Sequence, residues 1–255
     1  MKDIWVEVVR TRGSAPRDAG TAMRITLTDV EGTIGGGALE HDAIDRARRI
    51  LANGVTDPTL HTYPLGPELG QCCGGSVTLR FSSEPGRLDE TCATPEPLLS
   101  LPNRPRGLWI WGAGHVGRAV VRALPEGAFD VTWIDSDLSR FPAEIPDHVT
   151  ALPVADMARL AARAPFGLHH LVFTYSHDID FRVTAALIQR RTATLGLIGS
   201  DTKRARFFKR FKALGLDTGA VTCPIGCKPL GKAPSAIAVG TVRDLIRQAY
   251  GEVAA

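Results

Sequence analysis

The sequence predicts an α/β chain: a small α+β N-terminal domain followed by a Rossmann-like domain with a parallel sheet. Three observations carry this expectation. Short strand-like runs joined by glycine-rich turns fill the opening part of the 255 residues, a proline-rich stretch interrupts them, and strand patterns then alternate with helical ones. At the change, Gly112-Ala113-Gly114-His115-Val116-Gly117 follows an apolar strand and opens a helix. Asp135 then stands 21 positions after Gly114, at the end of the next strand, where an acidic residue meets a ribose in dinucleotide-binding domains.

Composition bounds the rest. A hydrophobic content of 44% fills a core in one large or two ordinary domains. The formal charge of +3 is too mild for a nucleic-acid binder. Cysteines at 72, 73, 92, 223 and 227 are odd in number and scattered, which fits reduced cytoplasmic thiols rather than a disulfide framework. No apolar run approaches the ~20 residues that cross a bilayer, and Met1-Lys2-Asp3-Ile4-Trp5 lacks the apolar core of a signal peptide. The expectation is a soluble cytoplasmic protein with neither nucleic-acid nor membrane partners.

In the N-terminal domain, strands are expected over 4–9 and 22–27, separated by Arg12-Gly13-Ser14-Ala15-Pro16-Arg17. Arginines flanking such a loop suit either a phosphate clamp or an ordinary solvated turn. Gly35, Gly36 and Gly37 then lead into a helix with apolar positions Leu39, Ala43, Ala47, Ile50 and Leu51 and a stop at Gly54. Exposed amides at a helix entry favour an anion, the competing explanation being a flexible connection. After a short strand at 61–65 comes Gly70-Gln71-Cys72-Cys73-Gly74-Gly75, entering a strand over 76–81. Adjacent thiols among glycines can offer a thiolate to a soft metal or a sulfur donor; the plainer reading is a turn with two buried thiols. The three glycine-rich turns are candidates to converge on one ligand.

Prolines 85, 95, 97, 102 and 105 mark a linker, giving domains at 1–83 and 107–255 with the linker over 84–106. In the second domain strands are expected at 108–111, 130–134, 149–152, 169–174 and 194–198, with helices at 156–163 and 180–190 between them. Ligands of such sheets sit beyond the strands' carboxyl ends. That rim would carry Gly112, Gly114, His115, Gly117, Asp135, His177, Ser200 and Lys203 as candidate cofactor contacts. His177 with Asp178 suits acid–base work. Cys223 and Cys227 have C-x₃-C spacing but no second ligand pair, so no zinc site is expected. A closing helix over 235–250 should cover one side of the sheet through Ile237, Val242, Leu245 and Ile246.

Nearly the whole chain resembles the xanthine dehydrogenase accessory proteins of the XdhC/CoxI family. The resemblance runs through Gly13-Ser14-Ala15-Pro16-Arg17 with Met23, Gly35-Gly36-Gly37 with Leu39-Glu40, Gln71-Cys72-Cys73-Gly74-Gly75, the Gly112 to Gly117 fingerprint, and Gly196-Leu197-Ile198-Gly199-Ser200 with Lys203-Arg204. It departs at Pro234-Ser235-Ala236, where an acidic pair usually follows the proline.

The resemblance implies a maturation and insertion chaperone rather than a catalyst. Such a protein binds and protects the molybdenum cofactor (molybdopterin), supports exchange of an oxo for a sulfido ligand with a cysteine desulfurase, and inserts the cofactor into xanthine dehydrogenase. It implies Cys72 and Cys73 as candidate sulfur or molybdenum contacts, and Arg17 with the glycine turns at Gly35, Gly36, Gly37, Gly74 and Gly75, beside Gln71, as holding the pterin phosphate and its neighbours. A nucleotide in the Rossmann-like domain and a homodimer are further expectations. The alternative reading is an NAD(P)-dependent oxidoreductase using Asp135 for the ribose.

Overall fold

Alternation of apolar residues at Ile4, Val6 and Val8 makes the first strand a half-buried one, and the chain builds an antiparallel sheet around it. In the computed structural model, residues 3–54, 58–65, 75–88 and 105–251 are described, and the chain divides into two compact units, Met1–Thr91 and Cys92–Ala255. The first contains β1 (Ile4–Arg12), β2 (Ala22–Ile25), β3 (Val30–Gly32), α1 (Gly37–Asn53), β4 (Thr59–Pro64) and β5 (Ser76–Ser82). Sheet order is β3-β2-β1-β5-β4, and every pairing is antiparallel.

Helix α1 buries Leu39, Ala43 and Ala47, one residue per turn, against β1 and β2. It ends at Gly54, whose φ of 66° supplies the left-handed cap that a side chain resists. Strand β3 was not among the expected elements: its three residues, Val30, Glu31 and Gly32, carry no apolar alternation and are placed by pairing with β2.

The second unit runs β6 (Arg106–Trp111), α2 (His115–Ala123), β7 (Phe129–Asp135), β8 (Val149–Pro153), α3 (Met157–Ala161), β9 (His169–Val172), α4 (His177–Ile188), β10 (Thr194–Leu197), α5 (Asp201–Ala213), β11 (Val221–Thr222) and α6 (Pro234–Tyr250). Its strands form one parallel sheet in the order β11-β10-β9-β6-β7-β8. This is the doubly wound Rossmann order, with its switch point between β6 and β9. The expected parallel sheet is therefore present, with the two-residue β11 added at one edge.

One face is covered by α2 and α6, whose Val120, Val121, Val242 and Leu245 pack on Leu108, Ile110, Val131 and Leu171. On α4 and α5, Phe181 stacks on Phe211 with ring centres 4.7 Å apart, and both are buried. Among the described residues no helix is long and apolar enough to cross a membrane.

Candidate functional site

In the N-terminal unit, three glycine-bearing segments come together. Gly75, the described end of the paired-cysteine motif, lies so close to the β1 turn that a Cβ there would come within 2.5 Å of the Ser14 carbonyl oxygen. Gly35 (φ 129°) sits against Pro16, where a Cβ would be 2.6 Å from the proline ring carbons and 3.5 Å from Arg17 Cγ. The first and second turns and the close of the third thus share one corner. Gln71, Cys72, Cys73 and Gly74, expected as cofactor or molybdenum contacts, lie outside the described residues.

The electrostatics of that corner are internal to a degree the residue pattern does not announce. Glu40 is buried, and one of its carboxylate oxygens accepts from the Thr33 hydroxyl (2.5 Å), the Ile34 amide (3.0 Å) and the Gly36 amide (3.1 Å). The anion met by the amides entering α1 is therefore the chain's own carboxylate, placed there by the helix it caps. Arg17 is only 4% exposed; burial lowers its pKa, opposed by the nearby charges of Asp18 and Glu40. A buried guanidinium and a buried carboxylate that interact electrostatically thus lie beside the Gly35 turn.

In the second unit the rim is built around Gly112. Its φ of 120° and its closeness to the Phe173 carbonyl require glycine, and a Cβ on Gly117 would collide with the Gly112 carbonyl oxygen. Trp133 Nε1 donates to that same carbonyl at 2.9 Å. Gly114 and His115 are exposed at the start of α2.

Asp135 is 1% exposed, and both of its oxygens are engaged. Oδ2 accepts from the Ala113 amide at 2.6 Å; Oδ1 accepts from the Ser136 amide at 2.6 Å and the Ser136 hydroxyl at 3.2 Å. Arg140 Nε lies 2.8 Å from Oδ1 as an ion pair, out of line for a hydrogen bond. A ribose needs an accessible acceptor at this position. The residues present do not fit a dinucleotide held in the ordinary way, because this carboxylate clasps the glycine turn instead.

Further along the rim, Ser200 caps α5 by accepting from the Lys203 amide at 3.2 Å. Lys203 points inward: its Nζ lies 2.5 Å from Asp180 Oδ2, with side chains 4% and 1% exposed. Asp180 Oδ1 accepts from both the Thr174 amide and the Thr174 hydroxyl at 2.8 Å. The pair therefore ties the turn after β9 to the first turn of α5. Asp180 was absent from the expected site residues, and its only sequence signal is an acid in the first turn of a helix following Ser176. His177, half-buried, is the first residue of α4.

Cys223 lies nearby, its sulfur 3.2 Å from where a Cβ on Gly199 would stand, and burial pushes its thiol up to about 11. Among the described residues no group of three or more His, Cys, Asp or Glu gathers to hold a metal. A small cavity of about 40 Å³ between β10, β11 and α6 has Thr241 in its wall, and the buried Thr241 hydroxyl has no partner there. That volume suits ordered water and is far too small for a cofactor.

A doubly wound parallel sheet with a glycine turn at its switch point, in a chain that also carries an antiparallel unit built on converging glycine turns, defines a two-unit Rossmann-type protein. The chain matches the XdhC Rossmann domain over residues 108–245 and the XdhC and CoxI family over residues 4–64, and it belongs to that family. It is 24% identical over 249 residues to YqeB of Escherichia coli K12, an uncharacterized protein, with 94% of this chain and 42% of YqeB covered. The chain thus spans less than half the length of this curated relative. A crystal structure of a xanthine dehydrogenase from Bacillus halodurans shares the fold at a TM-score of 0.50 and 16% identity, covering 98% of this chain and 92% of that one.

Proposed function

We propose that this protein is a molybdenum cofactor chaperone: it binds and protects the cofactor, supports its sulfuration with a cysteine desulfurase, and inserts it into xanthine dehydrogenase. Membership of the XdhC and CoxI family supports this reading. The observation that carries it is the convergence of Gly75 on the Arg12 to Ser14 turn and of Gly35 on Pro16 and Arg17. That packing gathers the exit of the paired-cysteine motif and a buried arginine at one corner of the N-terminal unit. Cys72 and Cys73 are the proposed sulfur or molybdenum contacts, a role suited to soft thiolates. A cytoplasmic homodimer belongs to the same proposal.

The oxidoreductase reading lacks the free acid it relied on, since Asp135 is buried and engaged on both oxygens. In cells, Cys72→Ala combined with Cys73→Ala should abolish activation of xanthine dehydrogenase while leaving its protein level unchanged. Full xanthine dehydrogenase activity in the double variant would sink the proposal.

A further inference from the structure

The formal charge of +3 conceals a local concentration. Helix α5 holds six of the chain's 30 lysines and arginines and one of its 27 acids, so it carries +5 while the rest of the chain sums to −2. Its inner face is fixed: Phe207 and Phe211 are buried, Phe211 stacks on Phe181, and Lys203 pairs with Asp180. Arg204, Arg206, Lys209, Arg210 and Lys212 are all exposed. Arg206 with Lys209, Arg206 with Arg210, and Lys209 with Lys212 are like charges three or four positions apart, a spacing that works against the helix. The other ion pair on this helix joins Lys228 to Asp201, so Lys209 and Lys212 have no carboxylate partner among the described residues.

Beside these two lysines runs an open groove of about 540 Å³, lined by Phe208, Lys209, Lys212, Leu216, Asp217 and Thr218. The groove exists because the chain turns back at Gly215 (φ 71°). The Leu216 amide donates to the Phe211 carbonyl at 3.0 Å, which lays Leu216 alongside the helix it has just left. Leu214, in the same turn, is 63% exposed. An ordinary solvated helix face intersperses charges of both signs and keeps apolar side chains apart. Here cations of one sign border an apolar recess on a helix that its phenylalanines hold in place, so the surface is ordered before anything docks.

We infer that the outer face of α5, with the groove beside it, is a docking surface for an acidic amphipathic segment of a partner protein. Leucine-type side chains of that segment enter between Phe208 and Leu216, and its carboxylates meet Lys209 and Lys212, which also relieves the repulsion along α5. Nucleic acid suits the site less well. The Asp217 carboxylate stands in the groove wall, where it repels phosphate, and the Phe208 ring that would stack a base lies against the Arg204 guanidinium, 4.9 Å from the ring centre. An anionic bilayer calls for an apolar ridge that sinks between headgroups, whereas Phe208 and Leu216 line a recess. The inference rests on the charges and the groove, not on the chaperone reading.

The test uses the full chain and a fluorescein-labelled peptide of about 15 residues, glutamates on one helical face and leucines on the other, titrated by fluorescence anisotropy. Beside it run an all-glutamate peptide of equal charge, a thymine oligonucleotide and phosphatidylserine vesicles. Wild type should bind the Glu/Leu peptide most tightly, and the affinity should fall as NaCl rises from ~50 to ~300 mM. Lys209→Glu with Lys212→Glu should weaken binding roughly tenfold or more. The neutral pair Lys209→Gln with Lys212→Gln should also weaken it, and Lys209→Arg with Lys212→Arg should retain it, which separates charge from any effect on folding. Unchanged affinity in the glutamine and glutamate variants, equal binding of the all-glutamate peptide, tighter binding of the oligonucleotide or the vesicles, or no binding of the Glu/Leu peptide would each overturn the inference.

Discussion

Replacing Lys203 by methionine isolates the buried ion pair at the rim. The substitution keeps most of the aliphatic volume and removes the ammonium that lies 2.5 Å from Asp180. Asp180 would retain the two donors from Thr174 on Oδ1, but Oδ2, in a side chain 1% exposed, would lose its charged partner. Removing one member of a buried pair costs about 3–5 kcal/mol, since the remaining charge stays desolvated. With a urea m-value of about 2–3 kcal/mol/M, the midpoint should fall by roughly 1–2.5 M.

Tryptophan fluorescence follows this transition well, because Trp109, Trp111 and Trp133 all lie in the second unit and only Trp5 in the first. The double variant Lys203→Met with Asp180→Leu should recover much of the loss, giving a coupling of about 2 kcal/mol or more in a double-mutant cycle. A loss below about 1 kcal/mol in Lys203→Met, or additive single effects, would refute the claim that this pair holds the rim together.

Gly75→Ala places a methyl against the Ser14 carbonyl, so it should destabilise the N-terminal unit and reduce activation of xanthine dehydrogenase in cells, read by thermal unfolding alongside enzyme activity. Glu40→Gln weakens a carboxylate that receives three donors; a loss of about 1.5–3 kcal/mol is expected in chemical denaturation. His170 is buried with a pKa lowered to about 3, by desolvation first and by His169 second. The unfolded chain protonates it near 6.5, so its contribution is complete above that pH and is lost on acidification toward 3. His170→Gln should flatten the stability profile between pH 6 and 4 by up to about 1.4 kcal/mol per pH unit, measured by urea titration at each pH. Burial raises the Cys223 thiol from 9.0 to about 11, so its contribution is complete below pH 9 and lost between 9 and 11. At pH 8, iodoacetamide should label the half-buried Cys227 well before Cys223, as peptide mass spectrometry will show.

The arrangement of the second unit was legible because strand patterns alternate with helical ones along it and its first turn needs glycine at 112 and 117 for steric reasons. Edges were less so: β11 is two residues long and takes its place by pairing with β10, a long-range fact with no local pattern. Helix α4 starts at His177 rather than 180, with Asp178 and Asp180 in its first turn, where acids suit the helix dipole.

Roles proved harder to read than places. Asp135 stands where the spacing puts it, yet its oxygens serve Ala113, Ser136 and Arg140. Among glycines 35 to 37, Gly36 does present its amide to an anion, but that anion is Glu40, one turn into the helix, while the Gly35 amide donates to the Thr33 hydroxyl. The Asp180–Lys203 and Arg140–Tyr175 contacts join residues 23 and 35 positions apart, which only the sheet order brings together.

The most direct test of the central claim is elemental and mass analysis of the full-length protein purified from cells making molybdenum cofactor, with the Cys72→Ala, Cys73→Ala double variant beside it. The chaperone account predicts molybdenum and pterin in equal amounts with wild type, and their loss from the variant at unchanged secondary structure. Nicotinamide nucleotide in place of molybdenum, or no bound cofactor from a cell that supplies it, would contradict the account.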